Sequence, residues 1–306
     1  MTDKIIDVEH LTKNYKNSKG IFDVSFSVNE GEVFGYLGPN GAGKSTTIRH
    51  LMGFIKPVKG KAKIHNLDCW KGSTKIQRKL GYLPGELALP ENQTGISYIK
   101  YIYKLRKLNN WDEIERMIKY WEFDPTVKIK KMSKGMKQKV GLILTFMHHP
   151  DVIILDEPTS GLDPLMQDKF VQLIKSEKAK GHTVLMSSHI FQEIENTCDR
   201  VAIIKQGKII SQLDLNEINS GKTREYMVKF DQPYTSKPKT YKIKTIDEEK
   251  TTVTFTVPRT YVGNFLKAIE KYEPVSFEEN KFDLEKYFLH FYKQEETKKK
   301  GKKHHE

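Results

Sequence analysis

The chain has 306 residues, a 37% hydrophobic fraction and a formal net charge of +13. That length holds one large domain or two modest ones, and no apolar run nears the roughly 18 residues of a membrane span. Cys69 and Cys198 are the two cysteines, which exclude a disulfide framework and a cysteine metal set.

The first residues lack the apolar stretch of a secretory signal, so a cytosolic protein is expected. Part of the charge sits in the tail Lys298-Lys299-Lys300-Gly301-Lys302-Lys303, and the rest is scattered lysine that reads as solvated surface. Basic and aromatic residues do not interleave, so no specific nucleic acid is expected; closeness to an anionic membrane face is.

In chain order, residues 4–28 read as a strand hairpin turning near Gly20. A short apolar strand, 32–37, then runs into Gly38-Pro39-Asn40-Gly41-Ala42-Gly43-Lys44-Ser45, and Ser45–Met52 reads as a helix. This is G-x-x-x-x-G-K-S between strand and helix, the phosphate-binding loop. Its glycines let backbone N–H groups turn toward phosphates. Lys44 reaches the terminal phosphates and the Ser45 hydroxyl ligates magnesium, with Thr46 beside it at the helix start.

Residues 59–69 return to strand, and 95–129 read as helical with an apolar face of Ile96, Ile99, Tyr103 and Leu105 and a break at Asp124-Pro125. A helix capped by Ser133 covers 133–147. The continuously apolar Val152-Ile153-Ile154-Leu155 suits a central parallel strand. Helix 164–180, strand 183–186, helix 190–197 and strand 201–204 follow, an alternation that predicts a mainly parallel sheet flanked by helices. Beyond about Ser220 the pattern changes to period two, at 226–230, 240–244 and 252–257, followed by a helix at 261–272.

The predicted organisation is therefore an α/β cassette over 1–219, with amino-terminal antiparallel strands and a helical subdomain over about 86–150. A small accessory α+β domain covers 220–293, and a basic, disordered tail 294–306.

Three polar clusters fall at the carboxyl ends of predicted parallel strands: Gly38–Ser45, Asp156-Glu157 and Ser187-Ser188-His189. Open α/β sheets bind ligands at that edge, so the three are expected to meet. Asp156 is suited to hold magnesium with Ser45 and the phosphates. Glu157 is suited to orient or deprotonate an attacking water, and His189 to position that water at the terminal phosphate.

These motifs closely resemble the nucleotide-binding subunits of ATP-binding cassette (ABC) transporters over roughly residues 4–215. The resemblance implies ATP and Mg2+ as ligands and an adenine-stacking role for Tyr15. Met132-Ser133-Lys134-Gly135-Met136 matches the family's signature, usually L-S-G-G-Q. Its S-K-G-M form resembles drug- and antibiotic-exporting subfamilies of the ABC-2 type. In the family this segment faces the ATP held by the opposite subunit. Ser160-Gly161-Leu162-Asp163 matches the loop joining the two sites, and His189 the switch histidine. The family's lid glutamine falls near Gly85 or Glu86, neither a glutamine, which leaves Glu86 as the stand-in.

By the same resemblance the chain is an ATPase that powers a membrane exporter, working as a homodimer or heterodimer of ATPase subunits on the cytosolic face of the membrane. A separate permease chain would dock around Glu86 and 95–129, and the ending Phe282–Phe288 resembles that of exporter subunits. Two rivals are a non-transport ATPase of the same superfamily and an ATP-sensing module without turnover. One phosphate loop, no sustained heptads and an intact Glu157 and His189 weigh against both.

Overall fold

The amino-terminal hairpin forms from β1 (Lys4–Asn14) and β2 (Gly20–Asn29), paired antiparallel. The computed structural model describes residues 3–15, 19–236, 240–247, 249–280 and 282–289. β3 (Val33–Leu37) is buried at every residue and leads into helix α1 (Lys44–Leu51). β4 (Lys59–Ile64) and the short β5 (Leu67–Asp68) extend the first sheet to the order β2-β1-β4-β5.

Helix α2 (Ser73–Lys79) then delivers the edge strand β6 (Leu80–Leu83). Neither is expected from the sequence reading. Ile76 alone of the α2 residues is buried, so the segment carries almost no apolar period to read.

The helical stretch expected over 95–129 is two helices, α3 (Gly95–Leu105) and α4 (Trp111–Trp121). The Thr94 hydroxyl caps α3 by accepting from Ser97 N. Lys107 takes φ 55° between the helices, and Glu122 takes φ 49° and ends α4. Left-handed backbone at non-glycine residues terminates a helix. The chain therefore stops being α-helical before Asp124-Pro125, and residues 129–131 make only a 3-10 turn.

Helix α5 (Lys134–Phe146) precedes β7 (Val152–Asp156), which is buried at all five positions. Helix α6 (Pro164–Ala179), β8 (Thr183–Ser188), helix α7 (Phe191–Thr197), β9 (Arg200–Lys205) and β10 (Lys208–Asp214) complete the six-stranded sheet. Its order is β10-β9-β3-β8-β7-β6, parallel except for the β9–β10 pair. Apolar side chains on both strand faces are what a parallel sheet covered by helices requires.

The chain divides into two units, Met1–Leu215 and Asn216–Glu306, joined through helix α8 (Leu215–Asn219). The second unit is an antiparallel sheet of β11 (Thr223–Phe230), β12 (Lys242–Ile246), β13 (Thr252–Pro258) and β14 (Pro274–Glu279), with helix α9 (Val262–Glu270) between the last two. Its order is β12-β13-β11-β14. Tyr226, Val228 and Phe230 alternate inward from β11 and share a core with Phe255, Phe265 and Ile269. β14 is a strand the sequence reading does not include. The tail at 294–306 lies outside the described residues.

Candidate nucleotide site

The sheet register sets the geometry of the site. Leu37 pairs with Ser188 across β3–β8, and Asp156 pairs with Ser187 across β8–β7. Neighbouring strands therefore end at one level, and the segments that follow them emerge together. Backbone bonds tie them: Gly38 N donates to Ser188 O at 3.2 Å, and Glu157 N to Ser187 O at 3.2 Å.

The loop after β3 turns tightly over β9. A Cβ on Gly38 would stand 2.3 Å from Ile204 O, and Gly43 takes φ 114°, so both positions require glycine. α1 starts at Lys44 with its N-terminal N–H groups facing the loop, an anion-binding arrangement. Lys44 is only 5% exposed. Its Nζ donates to Gly38 O at 2.6 Å and stands 3.0 Å from Glu157 Oε1, off the direction of a hydrogen bond. A buried ammonium needs a counter-charge, and the carboxylate supplies one.

Asp156 is buried and accepts from the Ser187 hydroxyl at 2.5 Å. The same hydroxyl accepts from Glu157 N at 3.2 Å. Glu157 sits at φ 50°, a strained left-handed position of the kind that clusters at functional sites. Its Oε2 lies 2.5 Å from His189 Nδ1. One carboxylate thus meets both the loop lysine and the histidine, from three different strand ends.

Two cavities share Ser45 and Glu157. One, of about 310 Å³, is bordered by Ser45, Arg49, Tyr82, Glu86, Asp156 and Glu157. The other, of about 300 Å³, lies along the phosphate loop and is bordered by Tyr15, Lys19, Asn40, Lys44 and Thr46. Tyr15 is 39% exposed, with Lys13 Nζ 5.7 Å from its ring centroid. An open aromatic face beside the loop suits a nucleotide base.

Magnesium fits the first cavity. Among the described residues no group of three or more acidic, histidine or cysteine side chains gathers for a metal. Ser45 and Asp156 offer hard oxygen donors there, and an octahedral ion at that place would take its other ligands from phosphates and water. Burial first, and then the Asp156 charge, push the Tyr82 hydroxyl up to about 12, so it stays protonated beside that carboxylate.

The 133–136 segment and the 160–163 loop lie together but border neither cavity. Ser133 caps α5 by accepting from Met136 N at 3.2 Å. Lys134 Nζ donates to Ser160 Oγ at 2.6 Å, and a Cβ on Gly135 would stand 2.6 Å from Gly161 O. Leu162 is buried, and Asp163 caps α6 through Met166 N. Bordering residues Lys19, Arg49 and Tyr82 are given no role in the sequence reading. Tyr82 had a signal in its place two residues before Pro84, whereas Arg49 had none beyond its helix face.

A sequence model of the family described as "ABC transporter" matches residues 21–160. An uncharacterised ABC transporter ATP-binding protein of Methanocaldococcus jannaschii is 37% identical over 219 residues, 70% of this chain and 79% of that protein. The bacitracin transport ATP-binding protein of Bacillus licheniformis is 35% identical, over 73% of this chain and 74% of its own. The linearmycin resistance ATP-binding protein of Bacillus subtilis is 33% identical, over 68% of each. Among solved structures, an ATP-binding subunit of an ABC transporter superposes with TM-score 0.63 at 32% identity, covering 71% of this chain and 92% of that one. A dimeric cassette described as a post-hydrolysis state with ADP and Pi superposes with TM-score 0.62 at 23% identity, over 69% of this chain and 98% of that one, a likeness of fold.

Proposed function

This chain belongs to the ATP-binding subunits of ABC transporters, and from that premise we propose that it drives a drug- or antibiotic-type exporter by hydrolysing ATP between two head-to-tail subunits. It is an ATPase of the cassette fold. The observation that carries the residue assignment is the meeting of Lys44, Glu157 and His189 at one sheet edge, with Ser45 and Asp156 on the same cavity.

In this reading the loop N–H groups and Lys44 bind the phosphates, and Tyr15 stacks on the adenine. Ser45 and Asp156 hold Mg2+, which when bound neutralises charge on the phosphate oxygens. Glu157 accepts the proton of the attacking water, and His189, beside that carboxylate, positions the water at the terminal phosphate. Glu86 borders the same cavity, which supports it as the stand-in for the lid glutamine.

Ser133, Lys134, Gly135 and Met136 serve the nucleotide of the opposite subunit. That they border neither of the two cavities at the phosphate loop supports that role, as does their packing on the 160–163 loop. The relatives named for bacitracin transport and linearmycin resistance support export. No helix among the described residues is long and apolar enough to cross a membrane. In this reading the pore is a separate permease, and the chain works at the cytosolic membrane face. The second unit has its own core, which supports a role in regulating or stabilising the dimer. The test is turnover by the purified chain. Magnesium-dependent ATP hydrolysis that is lost in Lys44→Ala supports the reading, and hydrolysis unchanged by that substitution refutes it.

A further inference from the structure

We infer that Glu193 is a positioning residue of this ATPase site, its carboxylate fixing, through the Ser188 hydroxyl, the segment that carries His189. The inference deepens the proposed function and rests on the roles given there to Glu157 and His189.

Glu193 lies in the first turn of α7 and is 7% exposed. The Ser188 hydroxyl donates to its Oε2 at 2.5 Å. Ile190 N donates to that same hydroxyl at 2.9 Å. Residues on both sides of His189 are therefore pinned through one carboxylate oxygen. Ser188 also accepts from Gly38 N through its carbonyl, so the pinned segment borders the phosphate loop.

The Glu157 side lies close by: Thr159, two residues beyond Glu157, borders one cavity together with Ile190 and Glu193. Thr159 is itself buried, and the Pro158 carbonyl beside it accepts from Gln138 Nε2 at 2.7 Å.

A buried carboxylate is costly, and an apolar residue of similar volume would fill the same space without that cost. Burial pushes the Glu193 carboxyl up to about 7, and the Glu157 charge adds to the effect. What the acid provides in return is directional: it fixes the Ser188 hydroxyl and, through it, the backbone on both sides of His189. Catalytic geometry is sensitive to such support, since a displacement of about 1 Å can lower turnover by 10²-fold.

The test compares kcat, KM and ATP affinity in four variants of the full chain. Glu193→Ala should lower kcat at least about tenfold while KM and the ATP Kd stay within about twofold. Glu193→Gln, which still accepts from Ser188, should recover most of that loss. Ser188→Ala removes one hydroxyl with little risk to folding and should lower kcat as Glu193→Ala does. The double variant should be no slower than the slower single, because both changes cut one link. Wild-type kcat in Ser188→Ala, additive losses in the double variant, or parallel losses of kcat and ATP affinity would overturn the inference. If Glu157→Gln keeps full turnover, the underlying catalytic assignment has failed; if Glu157→Gln is inactive and Glu193→Ala is not slowed, only the positioning role has.

Discussion

Lys44 Nζ stands 3.0 Å from Glu157 Oε1, and the two residues reach that point from strands with β8 between them. The cation suited to the phosphates and the carboxylate suited to the water occupy adjacent places. His189 Nδ1, 2.5 Å from the other carboxylate oxygen, completes a line from β3 through β7 to β8. Glu157 and His189 are the residues that directly follow their strands, and Lys44 opens the helix after β3. The site is therefore a product of strand register as much as of side-chain identity.

The place of Tyr15 gives the first prediction. Its exposed ring borders the cavity along the phosphate loop. Tyr15→Ala should weaken ATP binding by roughly 1–3 kcal/mol, the range for aromatic–base stacking, with kcat at saturating ATP nearly unchanged. Titration of the variant with ATP checks this, and an unchanged Kd removes Tyr15 from the site.

That 133–136 borders neither cavity at the phosphate loop gives the second. Ser133→Arg should bind ATP yet fail to dimerise or hydrolyse it, and Lys44→Ala should fail to bind it. Mixing the two proteins creates one interface with an intact phosphate loop facing an intact 133–136 segment. Partial recovery of ATPase activity in the mixture is expected. No recovery beyond the sum of the two inactive proteins would mean that each chain carries a self-contained site.

Glu193 gives the third, through pH. Its folded pKa, about 7, stands above the ordinary glutamate value because of burial, with the Glu157 charge adding to the rise and the Ser188 hydrogen bond opposing it; the buried Cys198 thiol lies in its field. Between about 4.5 and 7 the native state holds the proton more tightly than the unfolded chain does. This group's contribution to stability therefore falls as pH rises through that window and is at its lowest above 7. Glu193→Gln removes the titration. Its stability relative to wild type should rise between pH 5 and pH 8, by up to about 3 kcal/mol. Urea unfolding at several pH values measures it, and a difference that does not change with pH would contradict the prediction.

Motif spacing and uninterrupted apolar runs made much of this fold readable. Val152–Leu155 and Thr183–Met186 announce buried parallel strands, and both are central. Gly38–Ser45 announces its own turn because only glycine fits at Gly38 and Gly43. Elements with weaker local signals were not readable. α2 buries one side chain, and β14 has exposed residues at most of its positions, so tertiary pairing decides both. The division of 95–129 was signalled only by Asn109-Asn110 before Trp111, which the apolar period of the two helices masks. Within the site, residue types at strand ends were legible and their partners were not. That the Lys44 ammonium meets Glu157, or that Glu193 reaches back to Ser188, depends on register and side-chain direction that no spacing encodes.

The central claim is that Glu157 activates the attacking water, and Glu157→Gln tests it most directly. The substitution keeps the shape and one accepting oxygen for His189 but removes the base. Single-turnover ATP hydrolysis should fall by roughly 10²–10⁴-fold, with ATP affinity retained. In Mg-ATP the variant should then elute as a dimer on size exclusion, because reopening requires hydrolysis. Turnover within a few-fold of wild type in Glu157→Gln would contradict the account at its centre.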